Sequence, residues 1–295
     1  VAVRRVNITD KNKPLLMDYI DPKKITYLPN TAGCFNSKEA LRTLRLAREI
    51  GGWKLVKLEV LGDKQNLFPD MIETLKSTEI LAKEGFKVMV YCNDDPLMAK
   101  RLESSGADAI IAQGYEAGGH RGTFASTYKE GEIGLFSLLP QIVDATSLPI
   151  IAAGGIANGK GIAAAMMLGA KGVQLGTAFL SCPEASVHPL WKKALSDSSS
   201  RGTRITSSFT GRPARGIVNR LIKDMENKND IIPDFPTVGS IIKPLANIAA
   251  DHGNDDFLSL WAGQSAPMNR NVTSQKLIEL LVEETSTTLN NFYKT

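Results

Sequence analysis

The sequence lacks the features that would place the protein in a membrane or in an oxidising compartment. It has no apolar run long enough to cross a bilayer, and no signal peptide precedes the strand-like run that begins at Val1. It has three cysteines, an odd number, and their spacing matches no metal site. We therefore expect reduced thiols, no metal, no membrane contact, and a location in the cytoplasm or the plastid stroma. Because Val1 already lies in a strand-like run, we also expect the natural start of the fold to be missing.

A strong charge of one sign is also lacking. The chain carries 35 Lys and Arg against 31 Asp and Glu, a net charge of +4, and the basic residues are spread among the acidic ones. No basic stripe is interleaved with aromatic residues, so we expect no nucleic-acid surface and instead a small anionic substrate. The 295 residues are enough for one large α/β domain or two small ones. A monomer and a homo-oligomer both remain open.

Short apolar runs alternate with helical stretches over the first 180 residues. Strands joined to helices by short connections predict a parallel sheet. Seven strands are one fewer than a closed barrel needs, so we predict an α/β fold of the (β/α)8 TIM-barrel type that lacks its first strand. Beyond Leu180 a polar, arginine-rich region and further helices predict a C-terminal helical appendage packed on the barrel. The predicted strands are 1–6, 25–28, 55–61, 88–92, 107–112, 149–153 and 172–175.

Two neighbouring predicted strands end in glycine. Gly154 and Gly155 end the strand at 149–153, and Gly176 followed by Thr177 ends the next one. Glycine lets the backbone approach a ligand closely, and N–H groups of the loop and of the following helix can bind a dianion. In (β/α)8 barrels a phosphate often binds after strands seven and eight. We predict a phosphate site here; the alternative is that these glycines only turn tight corners.

Lys57 and Glu59 lie two residues apart on one predicted strand, so their side chains leave the same face. A buried ammonium is costly without a partner, and Glu59 can supply one. One interpretation is a structural ion pair or a solvent-facing strand. The other is a lysine that is unprotonated often enough to attack a carbonyl, with Glu59 moving protons.

His120 lies in a glycine-rich loop, Gly118 to Gly122, beyond the carboxyl end of a strand. A histidine on a mobile loop at that end of a barrel can titrate near neutrality and take a proton from carbon. The alternative is an ordinary surface or packed histidine. His188 and His252 lie in helical surroundings, and we interpret both as structural.

Residues 1 to about 110 resemble thiazole synthase, the barrel enzyme that builds the thiazole of thiamin, starting at that family's second strand. In that family the lysine matching Lys57 forms an imine with a phosphorylated ketose, and the glutamate matching Glu59 acts as acid and base. The resemblance rests on VAVRRVNIT at 1–9, LPNTAGC at 28–34, VKLEVLGD at 56–63, LFPDMIETLK at 67–76 and VYCNDDP at 90–96.

Residues 107 to about 265 resemble the FMN-dependent nitronate monooxygenases. The resemblance implies that FMN is the cofactor and that His120 acts as a base or orients the substrate. It places Gln113 and Gly114 near the isoalloxazine. From the residues themselves, Arg212 and Arg215 could close over an anionic ligand; the alternative is a solvated arginine pair in a loop. The resemblance assigns the cofactor phosphate to Gly154, Gly155, Gly176 and Thr177. The matching stretches are IIAQGYEAGGHRGTF at 110–124, IIAAGGIANGKG at 150–161, VQLGTAFL at 173–180, FTGRPARGIVNR at 209–220 and SLWAGQ at 259–264.

Together the two resemblances predict a hybrid barrel. Residues 1–110 would form a thiazole-synthase-like half, 107–200 a nitronate-monooxygenase-like half with the phosphate site, and 201–295 the appendage. A natural fusion, an engineered chimera and a mis-assembled gene all remain open. The leading hypothesis is FMN-dependent oxidation of alkyl nitronates. The alternatives are Schiff-base chemistry on a phosphorylated ketose, and a barrel that binds phosphate compounds without turnover.

Overall fold

The computed structural model describes residues 21, 25–61, 70–91, 96–122, 131–233 and 237–293. The chain forms two compact units, one comprising Val1–Ile111 with Asp144–Pro149 and the other Ala112–Val143 with Ile150–Thr295. The predicted strand at 1–6 lies outside the described residues, as does Cys92.

The first unit alternates helices and strands. Strands β1 and β2 pair in parallel, and β2 pairs in parallel with β3. The alternation of buried and half-buried residues along β1 and β2 fits strands with one face on an apolar core. Helix α1 buries Leu41, Leu44 and Ala47, and its cap is Asn36, whose side chain accepts from Glu39 N. The elements are α1 (Ser37–Gly51), β1 (Leu55–Leu58), α2 (Met71–Lys83), β2 (Lys87–Tyr91), α3 (Pro96–Ser104) and the start of β3 (Ala109–Gln113).

The second unit contains the end of β3, a parallel pair and a small antiparallel sheet. Strands β5 and β6 are parallel, and Gly114 N, just after β3, donates to Ala153 O of β5. Strand β8 lies between β4 and β7 and is antiparallel to both. The strands are β4 (Gly119–His120), β5 (Ile150–Ala153), β6 (Gly172–Gln174), β7 (Thr203–Thr206) and β8 (Ala214–Ile217).

The helices of the second unit include two long C-terminal ones. The Asn158 side chain caps α5 by accepting from Gly161 N. None of the helices within the described ranges has both the length and the apolarity needed to span a bilayer. The helices are α4 (Leu135–Ala145), α5 (Gly159–Met167), α6 (Pro189–Ser196), α7 (Ser198–Arg201), α8 (Arg220–Asp224), α9 (Thr237–Asp251) and α10 (Ser274–Tyr293), with short 3-10 turns at Thr177–Phe179, Asn229–Ile231 and Ala266–Met268.

The predicted parallel-strand α/β fold is confirmed, with two local corrections. Residues 25–28 form no strand; only Asn30 bridges Lys57, and Lys57 N donates to Pro29 O. Pro29 has no N–H to extend such a ladder. The polar, arginine-rich region after 202, for which we predicted no strand, contributes β7 and β8. All four residues of β8 are buried, including Arg215, so apolar patterning could not identify this strand.

Candidate functional site

The carboxyl ends of β5 and β6 line a small cavity of about 110 Å³ in the second unit. Gly154 and Gly155 turn away from β5 with φ values of 98° and 71°, which strain any residue with a Cβ. Gly176 and Thr177, at the start of the 3-10 turn after β6, also line the cavity. The lining residues are Gln113, Ala117, Gly118, Ala153, Gly154, Gly155, Ile156, Gln174, Gly176, Thr177, Gly263 and Ser265.

The absence of side chains at these glycines has two different effects. A Cβ on Gly154 would lie 2.9 Å from Ala117 Cβ, so this glycine permits close packing of the loop. A Cβ on Gly176 would meet nothing within 4 Å, so this glycine keeps space open beside the cavity. Typical ligand pockets measure about 300–1,000 Å³. The cavity therefore suits a compact group such as a phosphate and is too small for a whole cofactor.

Two N–H groups at the amino end of α5, the helix that follows β5, are already paired within the protein, and none of the residues that line the cavity belongs to this helix. Gly159 N at the start of α5 donates to Glu284 Oε2 of α10 at 2.9 Å, and Gly161 N donates to Asn158 Oδ1. Thr177 Oγ1 accepts from Gly263 N at 3.0 Å. Among the described residues no acceptor takes the Thr177 hydroxyl proton, which leaves this proton for a ligand.

Gln113 and Gly114, both expected near the isoalloxazine, have different positions. Gln113 lines the cavity, and its Oε1 accepts from Gly122 N at 3.1 Å. Gly114 packs against α4, where a Cβ would lie 2.8 Å from Leu135 N. The backbone of Gly114 is already hydrogen-bonded, because its N donates to Ala153 O and its O accepts from Arg121 Nη1.

Glu116 organises the loop that follows β3, a role that sequence reasoning missed. Both carboxylate oxygens lie 2.9 Å from Leu135 N, near the start of α4. Its backbone oxygen accepts from Gln264 N at 2.9 Å. Glu116 therefore ties this loop to a helix amino end and to the segment that carries Gly263. The motif GYEAGGH contained the residue, but nothing in the local pattern showed where its carboxylate would bind.

His120 lies on β4, opposite Ala214 of β8. Its Nε2 is 3.0 Å from Thr210 Oγ1, and its ring centroid is 5.7 Å from that of Trp261. Phe209 packs edge-on against Trp261 at 5.4 Å. Burial, assisted by the positive charge of Arg212, lowers the pKa of His120 from 6.5 to about 4. Our expectation of titration near neutrality is therefore corrected: the imidazole is neutral at pH 7.

Three buried arginines surround the same loop. Arg215 donates from Nε and Nη2 to Tyr115 O at 3.2 and 3.1 Å, and its guanidinium lies 4.4 Å from the Tyr115 ring centroid. Arg121 donates from Nη1 to Gly114 O at 3.1 Å. Arg215 therefore holds the loop in place, which differs from its expected position over a ligand. Arg212 acts electrostatically on His120.

Lys57 and Glu59 lie in the first unit. They are half-buried on one side of β1, whereas Val56 and Leu58 are fully buried on the other. Lys57 Nζ lies 5.0 Å from the Tyr91 ring centroid. Burial lowers the pKa of Lys57, and the charge of Glu59 partly opposes that shift. The buried Thr31 hydroxyl accepts from Glu59 N at 2.7 Å, which fixes the backbone beside the pair.

Five of the predicted site residues of the second unit lie together, and two histidines of this unit have structural positions. Gly154, Gly155, Gly176, Thr177 and Gln113 share one cavity. His188 caps α6 through Nδ1, and His252 Nδ1 contacts Ile248 O, both structural positions. Within the described ranges no group of three His, Cys, Asp or Glu residues could hold a metal.

Two family models match the chain, and their matches overlap. The model described as nitronate monooxygenase matches residues 97–284, and the model described as thiazole biosynthesis protein ThiG matches residues 1–188. Among curated relatives, the thiazole synthase of Pelagibacter ubique is 66% identical over 178 residues, and that of Zymomonas mobilis is 54% identical over the same length. These matches cover 60% of this chain and 65% of each relative, so the chain spans less than two thirds of their length.

Among solved structures, nitroalkane oxidase from Streptomyces ansochromogenes is 34% identical with a TM-score of 0.72, covering 86% of this chain and 70% of that one. FabK from Thermotoga maritima is 26% identical with a TM-score of 0.69, covering 92% of this chain and 80% of that one. These neighbours are of the TIM-barrel type, in agreement with the predicted fold class.

Proposed function

We propose that this chain, which belongs to the nitronate monooxygenase family over residues 97–284 and to the thiazole biosynthesis protein ThiG family over residues 1–188, is an FMN-dependent oxidoreductase that acts on alkyl nitronates. The proposal depends on one observation, that the second unit combines two features of such an enzyme. It contains both a glycine-lined cavity of phosphate size and a neutral, half-buried histidine.

The cavity fits the phosphate end of FMN. Gly176 leaves open space, and the hydroxyl proton of Thr177 has no acceptor among the described residues. The positive φ values of Gly154 and Gly155 let the backbone turn there without a side chain entering the space. These four residues would hold the phosphate, and Gln113 on the same wall would lie toward the ring.

FMN, when bound, supplies the redox chemistry, and the chain's own residues bind and orient the substrate. His120 is neutral at pH 7, so its ring N–H can donate to an oxygen of the nitronate and orient this anion. A nitronate has already lost its carbon proton, so the lone pair of the ring could accept that proton only from the parent nitroalkane. The nearby positive charge of Arg212 favours an anionic substrate such as a nitronate, and disfavours a second positive charge on the imidazole. Phe209 and Trp261 supply the apolar surroundings that strengthen these electrostatic interactions.

The first test is the absorbance spectrum of the purified protein, with identification of any flavin released on denaturation. We expect bound FMN and oxygen consumption with alkyl nitronates. Gly176→Val should weaken FMN binding at least ~10-fold, because the added side chain would enter the space beside the cavity, and should leave the melting temperature nearly unchanged.

Gly161→Ala is the matched control for that variant. Its Cβ would make only an ordinary contact of 3.4 Å with Ile156, and Gly161 does not line the cavity. A colourless protein that takes up no added FMN, or equal FMN affinity in wild type and Gly176→Val, would refute the assignment.

A second candidate function is supported by a separate observation, the half-buried Lys57 beside Glu59 in the first unit. Burial lowers the pKa of the ammonium, which favours the unprotonated amine that attacks carbonyls. In this proposal Lys57 Nζ bonds to the carbonyl carbon of a phosphorylated ketose. Water then leaves with the carbonyl oxygen to give the imine, and Glu59 moves the protons. This is the chemistry that the resemblance to thiazole synthase implies.

Borohydride trapping with a phosphorylated ketose tests the second candidate. We expect a mass increase on the peptide that contains Lys57, and none in Lys57→Met. Absence of the adduct in the wild-type chain counts against imine chemistry. If neither bound flavin nor the Lys57 adduct is found, the results support the third alternative, a barrel that binds phosphate compounds without turnover.

A further inference from the structure

Ser265 is a buried residue that lines the cavity at the carboxyl ends of β5 and β6, together with Thr177. Its exposed fraction is only 4%. It immediately precedes the 3-10 turn Ala266–Met268, a position from which a serine side chain often accepts a backbone N–H of the following turn. The Ser265 side chain makes no such bond, so its hydroxyl does not serve to cap the turn.

The hydroxyl of Ser265 has no hydrogen-bond partner among the described residues, although its backbone oxygen accepts from Met268 N at 2.9 Å. Within the same part of the chain, Ser265 Oγ is not one of the sealed polar atoms that lack a partner, so this oxygen keeps some accessible surface. Because the residue is almost fully buried and lines the cavity, that surface faces the cavity. A buried hydroxyl without a partner is costly, which points to a ligand that supplies the partner.

The Ser265 hydroxyl is held at a fixed position relative to the Thr177 hydroxyl. Gly263 N donates to Thr177 Oγ1 at 3.0 Å, and Asn269 Nδ2 donates to Thr177 O at 2.9 Å. These two bonds come from both sides of Ser265 in the sequence and tie its segment to the turn that begins at Thr177. The neighbouring Ala266 is buried in an apolar cluster, which keeps the segment from rotating outward.

The cavity offers neutral donors to an anion. None of the described residues that line it is a lysine, an arginine or a histidine. An anion bound there is therefore held by hydroxyls and by backbone N–H groups of the loops. Thr177 and Ser265 each have one hydroxyl proton with no acceptor among the described residues. A phosphate monoester has three terminal oxygens for such converging donors, whereas a nitronate has two, in one plane with its carbon.

We propose that Ser265 is a phosphate-binding residue, whose hydroxyl donates to a terminal oxygen of a phosphate monoester and thereby makes the chain select FMN over riboflavin. The inference rests on the phosphate site of the proposed function, but it does not depend on how the flavin ring is held. FMN and a phosphorylated ketose both carry the phosphate group, and the experiment separates the two.

The test is titration of the full-length protein, after removal of any bound flavin, with FMN and with riboflavin. Ser265→Ala should raise the Kd for FMN about 10- to 100-fold and change the Kd for riboflavin less than about 2-fold, because only FMN has the phosphate. The melting temperature of the ligand-free variant should be unchanged or higher, since alanine removes a buried hydroxyl that has no partner among the described residues. A purely structural role would instead lower the melting temperature and weaken the binding of both flavins.

Ser259→Ala is the matched control, because this half-buried serine lies on the same segment and does not line the cavity. It should leave the Kd values for both flavins unchanged. Equal FMN affinity in wild type and Ser265→Ala, or an equal loss of affinity for FMN and riboflavin, would overturn the inference and leave the proposed function standing.

Calorimetric titration with a phosphorylated ketose and with inorganic phosphate covers the case in which the wild type binds no FMN. Binding of these compounds that is weakened in Ser265→Ala would support the inference, although the FMN-dependent function would then have failed. Binding that is equal in the two proteins would refute the role of Ser265. A wild type that binds neither FMN nor these phosphates would refute both.

Discussion

The depressed pKa of His120 predicts that acid destabilises the second unit through this one residue. The pKa falls from 6.5 to about 4 in the folded protein, because the half-buried ring beside Trp261 is desolvated and lies near the positive charge of Arg212. Between pH 6.5 and 4 the unfolded chain therefore binds a proton that the folded chain does not. Stability is then greatest above pH 6.5 and decreases as the pH falls.

The magnitude follows from the size of the shift. About 2.5 pKa units at roughly 1.4 kcal/mol each give a loss of about 3 kcal/mol between pH 7 and pH 4. About 2 kcal/mol of that is already lost at pH 5, since there the unfolded histidine is almost fully charged and the folded one is not. Groups that wild type and a His120 variant share cancel when the pH dependences of the two proteins are subtracted.

The assay is urea unfolding of wild type and His120→Gln at pH 7, 6, 5 and 4.5, with the two pH slopes compared. The glutamine variant loses stability at pH 7 for packing reasons, so the slope and not the absolute value is the measure. Between pH 7 and 5 we expect the free energy of unfolding of the variant to decrease by about 2 kcal/mol less than that of the wild type. Parallel slopes would show that His120 has an ordinary pKa and that the ring is hydrated.

Two further predictions concern packing in the second unit. Gly118→Ala should cost about 2 kcal/mol or more and disorder the loop, because its Cβ would lie 2.5 Å from Gly263 N; a melting temperature within a degree of wild type would refute this. Glu284→Gln should destabilise the unit by about 1–2 kcal/mol in urea unfolding, because the carboxylate accepts from Gly159 N and pairs with an arginine. Glu279→Gln, on an exposed part of the same helix, should change stability by less than about 0.5 kcal/mol, and equal effects of the two variants would contradict the assigned contact.

Local sequence patterns predicted those secondary-structure elements that are determined by residues close together in the sequence. The apolar run and double glycine at 150–155 predicted β5 and its turn. The pattern failed at 25–28, where a short apolar run before Pro29 forms only a single bridge. An apolar run is a necessary sign of a buried strand, but pairing also needs a partner and free N–H groups.

The missed features of the site all depend on contacts between distant parts of the chain. Thr210 is 90 residues from His120, and Glu284 is 125 residues from Gly159. No spacing rule connects such pairs, because the fold alone brings them together. The low pKa of His120 was missed for the same reason: a glycine loop suggests exposure, and only the tertiary structure supplies the burial.

The overlap of the two family matches shows which experiments can separate the candidate functions. Residues 97–188 belong to both matches and contain the lining glycines at 154–155 and 176, so phosphate binding alone is compatible with either family. Lys57 lies where only the ThiG model matches, whereas Thr210 and Trp261 lie where only the nitronate monooxygenase model matches. Substitutions at Lys57 and at Thr210 or Trp261 therefore test the two candidate functions separately. Loss of both activities from a single substitution at either site would show that the two halves form one active site.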